Sequence, residues 1–120
     1  MPSGRAPGSR AGHEPIHVVK ADLFRVLGHP ARVRILELLR DGEMGVGALT
    51  SALGLDPSGT SQHLGVMRRA GILESRREGT SVFYRARDER VFELLDVARA
   101  LLTSSLEATQ ALLQEIGEAT

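Results

Sequence analysis

The chain has 120 residues, no cysteine, 42% apolar residues and 15 basic against 15 acidic side chains, for a formal net charge of zero. One compact domain is expected at this length, and the missing thiols exclude disulfides, thiolate metal sites and cysteine redox switches. No apolar run reaches the length of a membrane span and the first twenty residues lack the apolar segment of a signal peptide, so a cytoplasmic protein that engages no membrane is expected.

Residues 1–12 are rich in Gly, Pro, Ser, Ala and Arg and read as a disordered tail ahead of a domain spanning 13–117. A first helix is predicted over about Ile16 to Leu27, with Val19, Leu23, Val26 and Leu27 on one face and Gly28 at its end. Pro30 suits the first position of a second helix, about 30–40. That helix carries Val33, Ile35, Leu36, Leu38 and Leu39 over most of its girth and should be buried centrally, with Arg32 and Arg34 near its exposed start. Asp41 and Gly42 make a turn, followed by a short extended piece at 43–45.

Residues 47–71 read as two short helices joined by a tight turn. Leu49, Ala52 and Leu53 form the apolar stripe of the first, and Gly54 suits the left-handed residue that ends it. Asp56 can cap the second, and Pro57 fits its first turn. Leu64, Met67 and Ala70 make an inner stripe and Gly71 stops the helix. Ser58, Thr60, Ser61 and Gln62 crowd its N-terminal end, and Arg68 and Arg69 its far end. Short hydrogen-bonding groups at a helix tip, flanked by guanidinium groups, suit the major groove of double-stranded DNA. The competing reading is an ordinary helix hairpin with a solvated face.

After Gly71 the apolar period shortens. Residues 72–77 and 81–87 read as strands, with Glu78, Gly79 and Thr80 as a hairpin tip. Two strands alone are marginal in water, so the hairpin must pack on the helices. Its arginines fit a wing along a phosphate backbone, or a charged edge that discourages strand pairing. Residues 88–117 read as one long helix capped by Asp88, with Leu94, Leu95, Ala98, Leu101, Leu102, Leu112, Leu113 and Ile116 along it. At 1.5 Å per residue it approaches ~45 Å, more than a small core covers. Its stripe is therefore expected to meet a second copy, with the first helix completing a homodimer interface.

Charge is segregated. Residues 58–87 hold six arginines (68, 69, 76, 77, 85, 87) against Glu74 and Glu78, whereas from 101 onward there are three acids and no lysine or arginine. Separate faces with separate partners follow.

Three stretches together resemble the ArsR/SmtB family of winged helix-turn-helix regulators. They are Phe24 to Leu36, containing Leu-Gly-His-Pro-x-Arg-x-x-Ile-Leu, then Leu55 to Gly71 with Thr60-Ser61-Gln62-His63-Leu64, then Gly71 through Arg76-Arg77-Glu78-Gly79 to Phe83-Tyr84. The resemblance covers about residues 16–116. It implies a mainly α fold with a small β-hairpin, dimerising through the first and last helices, and a repressor or activator bound to a partly palindromic operator. Ser58, Ser61 and Gln62 match base-contacting positions of the family, His63 a position beside them, and Arg76, Arg77, Thr80 and Ser81 the wing.

Many relatives respond to metals, and here the pattern departs from theirs. Gly45 and Gly47 stand where one metal site needs Cys-x-Cys; Arg90 stands where another, after Asp88, needs histidine. One string remains, His13-Glu14-Pro15-Ile16-His17, literally His-Glu-x-x-His. A zinc protease is rejected, because Pro15 interrupts the string and the chain is too small for a cleft. His13, Glu14 and His17 are left as candidate ligands for nickel or zinc, against a chance match. An organic effector, no effector at all, and a winged-helix protein-interaction module without operator binding stay open beside it. No paired catalytic set appears, so an enzyme is not expected.

Overall fold

A computed structural model describes residues 14–119; the expected tail at 1–12 lies outside the described residues. The order is α1 (Ile16–Leu27), α2 (Pro30–Leu39), β1 (Met44–Gly45), α3 (Val46–Leu53), α4 (Pro57–Arg69), β2 (Leu73–Glu78), β3 (Ser81–Ala86) and α5 (Arg90–Ala119).

Helix ends are set by local chemistry. The backbone N–H of Ala31 donates to His29 Nδ1 at 3.1 Å, which caps α2 ahead of Pro30. Gly54 ends α3 at φ 68°, in the left-handed region that side chains with a Cβ avoid. At the end of α4, Ile72 N–H donates to Met67 O and Gly71 N–H to Arg68 O. This paired closure places Ile72 over Met67 and needs Gly71 at φ 79°.

α2 lies at the centre. Its Ile35, Leu36 and Leu39 join Leu49 of α3, Leu64 and Met67 of α4, and Ile72 and Leu73 in one core. Leu64 and Met67 are fully buried, and such side chains contribute about 1.5–3 kcal/mol each. They fix which face of α4 looks inward. Ala70, expected on that inner stripe, is exposed: α4 stops at Arg69, and the chain turns so that Ile72 takes the buried place. Ala52 of α3 is exposed as well.

The expected hairpin is part of a three-stranded antiparallel sheet of order β1-β3-β2. Met44 pairs with Tyr84 and Gly45 with Phe83. Glu78 pairs with Ser81 across a two-residue tip, with Gly79 at φ 64°. A positive φ at the first tip residue matches the twist of hairpin strands.

α5 starts on the core and leaves it. Val91, Phe92, Leu94 and Leu95 pack half-buried against it. Asp88 accepts from the Arg90 backbone N–H at 2.9 Å and pairs with its guanidinium. These contacts pull the Asp88 carboxyl down to about 2. Arg40, at the end of α2, reaches Asp96 at 2.9 Å and lies over the Phe92 ring. Beyond, Val97, Leu101, Leu102, Leu106, Leu112, Leu113 and Ile116 are exposed, as are Ile16, Val19, Leu23 and Phe24 of α1. Apart from Leu55, every large apolar side chain exposed among the described residues lies on α1 or α5. No described helix is long and apolar enough to cross a membrane.

Candidate nucleic-acid interface

The N-terminal turn of α4 is built around Asp56. Its carboxylate accepts from Gly59 N–H at 3.1 Å, and Pro57 occupies the first helical position. A Cβ on Gly59 would sit 2.9 Å from Asp56 Oδ1, so a side chain there would displace the capping carboxylate. With the inner face held by Leu64 and Met67, the side chains left outward at this end are Ser58, Ser61 and Gln62.

Thr60 does not belong with them. It is fully buried, and its hydroxyl donates to Asp56 O at 3.1 Å. It lies four residues before Leu64 and seven before Met67, on the inward stripe, so it cannot reach a base. The structure corrects its assignment as a DNA contact.

His63 is half-buried. Its Nδ1 accepts from Arg32 Nε at 3.2 Å, and its ring lies 4.4 Å from that of His29. Burial first, then the neighbouring His29 and Arg32, hold its pKa below the ordinary value. Arg32, expected near an exposed helix start, is thus turned inward, whereas Arg34 is exposed and pairs with Glu37.

The wing sheet has two unlike faces. Glu74 and Arg85, Arg76 and Phe83, and Glu78 and Ser81 are direct partners and share the outer face. Here Arg76 Nε donates to both Glu43 carboxylate oxygens at 3.0 Å, Nη1 reaches Glu78 at 3.1 Å, and the guanidinium lies over Phe83. The hydrogen bond from Arg76 is the main cause that lowers the Glu43 pKa, and the two glutamates raise that of Arg76. Arg85 pairs with Glu74. Three glutamates therefore offset two arginines, and this face offers no surplus positive charge. Arg77 lies on the other face, opposite Val82, and is exposed. Among the described residues no ion pair engages Arg68, Arg69, Arg77 or Arg87. Thr80 and Ser81 at the tip are exposed and line a groove with Ser61 of α4 and Val46 and Gly47 of α3.

Of the candidate metal ligands, His13 lies outside the described residues, and His17 is exposed in the first turn of α1. No group of three or more ligating side chains comes together among the described residues. The His29–His63 pair is unsuited to a metal as it stands. Both Nδ1 atoms are already engaged as hydrogen-bond acceptors, from the Ala31 N–H and from Arg32 Nε.

Sequence reasoning missed Glu43 and the inward turn of Arg32. The partner of Arg76 lies 33 residues away and that of Arg32 lies 31 away, beyond any local pattern.

Comparison with known proteins agrees with this architecture. The family described as "Bacterial regulatory protein, arsR family" matches residues 29–75, from the α2 cap through α4 into β2. The uncharacterized HTH-type transcriptional regulator Rv0081 of Mycobacterium tuberculosis is 44% identical over 104 residues, covering 86% of this chain and 91% of its own. The crystal structure of Rv0081 superposes with a TM-score of 0.73 at 46% identity, covering 79% of this chain and 96% of that one. The solution structure of a homodimeric winged helix-turn-helix DNA-binding domain, Mb0332 of Mycobacterium bovis, superposes with a TM-score of 0.71 at 29% identity, over 89% of this chain and 95% of that one. Relatives and family are transcription regulators rather than enzymes, and the chain belongs to the ArsR family of winged helix-turn-helix, DNA-binding transcriptional regulators.

Proposed function

We propose that two copies of this chain pair through α1 and α5 and place their α4 tips in successive major grooves of an operator, as a regulator working in the cytoplasm. Ser58, Ser61 and Gln62 read base edges. Arg77, Thr80 and Ser81 follow the phosphate backbone on one side of the groove, with Arg68 and Arg69 supplying positive charge at the far end of α4. Phosphate contacts set register, and base contacts set preference. The observation that carries this proposal is the α4 tip: a capped helix end with three exposed short polar side chains, held outward by a fully buried inner face. Pairing is supported by the apolar stripes left open on α1 and α5 and by the homodimeric neighbour. Two-fold symmetry would set half-sites about one helical turn, ~34 Å, apart.

The test is fluorescence anisotropy on DNA from the protein's own promoter region and on a scrambled duplex, across salt, with light scattering for mass. Preference for promoter DNA by a dimer is expected. Equal affinity for both duplexes at every salt concentration would favour a protein-interaction module on the same fold.

A metal effector is a separate proposal. His13, Glu14 and His17 offer imidazole and carboxylate donors that suit nickel or zinc, and His17 stands on the helix that carries the open apolar stripe. Titration of nickel and zinc against the purified protein tests it. Binding that is absent, or that survives His17→Ala unchanged, removes it.

A further inference from the structure

Arg32 touches three elements at once. It stands in the first turn of α2, and its side chain turns back across the junction with α1. Nη1 donates to the backbone carbonyl of Val26, in the last turn of α1, at 3.2 Å. Nε donates to His63 Nδ1 on α4 at 3.2 Å. The His63 ring in turn leans on His29, whose own orientation is fixed because its Nδ1 caps α2.

Among the described residues the other ties between α1 and α4 are apolar: Val26 and Leu27 of α1 and Leu64 and Met67 of α4 share one core, which sets the inward face of α4. A hydrogen bond to the single lone pair of an imidazole nitrogen adds a directional tie between the two helices. His63 follows Gln62 directly, so fixing the azimuth of His63 fixes that of Gln62. The lowered pKa of His63 agrees with this role, since a neutral ring keeps Nδ1 available as acceptor.

We propose that Arg32 is a positioning residue for DNA recognition: without touching DNA, its guanidinium locks the rotation of α4 to the last turn of α1 through His63 and the Val26 carbonyl. The inference rests on the function proposed above. It assigns to the α1–α2 junction the task of aiming the reading helix from the helix that carries the open stripe. Lysine cannot replace this arginine, because one ammonium on a flexible stem does not hold two acceptors in a fixed fork.

The experiment measures full-length wild type, Arg32→Lys, His63→Phe and the double variant by anisotropy. Each is run on promoter and scrambled DNA over a series of salt concentrations. Phe keeps a ring against His29 and removes the acceptor. Arg32→Lys and His63→Phe are each expected to weaken promoter binding about tenfold, the size of one charge-assisted hydrogen bond. Scrambled-DNA affinity and the salt slope should stay unchanged, and the double variant should lose little more than either single one. A variant that merely unfolds would lose both duplexes in proportion. Should Arg32→Lys fail to fold, His63→Phe carries the same comparison.

Wild-type affinity in both single variants overturns the inference. So does a salt slope that falls by about one per subunit, which would make Arg32 a phosphate contact. Strictly additive losses overturn it too. If wild type itself shows no promoter preference, the proposed function fails instead.

Discussion

Adjacent arginines on the wing should respond in opposite ways to truncation. Arg76 is held by Glu43, Glu78 and the face of Phe83, whereas Arg77 stands exposed on the opposite face with no ion pair among the described residues. If Arg77 meets one phosphate per subunit, Arg77→Ala removes two contacts from a dimer. Each phosphate contact contributes about −0.9 to the slope of log K against log salt, so the slope should shallow by about 1.8. Counterion release alone then predicts a loss of about 60-fold at ~0.1 M salt, shrinking to about 5-fold at ~0.4 M. Arg76→Gln removes no counterion-releasing charge, because its charge is already matched. Exposed pairs of this kind contribute ~0–1 kcal/mol, so affinity should shift less than about fivefold with the slope unchanged. Anisotropy titrations of both variants at four or five salt concentrations give the slopes directly. Equal slope changes for the two variants, or none for Arg77→Ala, would refute the division of the wing into a bound face and a matched face.

Gln62→Ala should reduce discrimination between operator and single-base variants by about 1–3 kcal/mol while leaving scrambled-DNA affinity alone, as measured by competition binding. Thr60→Val keeps the buried volume but removes the bond to Asp56 O, so it should cost about 0.5–1.5 kcal/mol in chemical denaturation and leave base preference unchanged. Any altered preference would return Thr60 to the DNA surface. Acid should loosen the start of α5. The carboxyl of Asp88 has a lower pKa folded than unfolded, so its contribution is complete above about pH 4 and is lost as pH falls through about 2. Asp88→Asn should remove that part of an acid titration followed by circular dichroism; an unchanged curve would refute it.

Elements with a local signature were readable from the chain. The end of α1 follows from Gly28, and the start of α4 from Asp56 and Pro57, because caps act within one turn. What escaped were properties set by distant partners. β1 is two residues long and has no period of its own; only its pairing with β3 makes it a strand. Arg76 reads as a free wing cation until Glu43 is brought beside it. Thr60 is a different case: its spacing to Leu64 and Met67 already placed it inward, but its hydroxyl grouped it with the serines. The family motif from Leu27 to Leu36 contained Arg32, yet no feature of the sequence could show that it folds back on His63.

The construction of the α4 tip also limits how this regulator can be retargeted. Position 56 is committed to the cap, 57 to proline, 59 to the glycine packed against the capping carboxylate, and 60 to the interior. That leaves 58, 61 and 62 as an alphabet of three letters that evolution or a protein engineer can rewrite at little thermodynamic penalty. A library confined to those sites should yield new DNA specificities on an intact scaffold, whereas randomising the whole turn would also remove the Asp56 cap and the buried Thr60, and so cost stability.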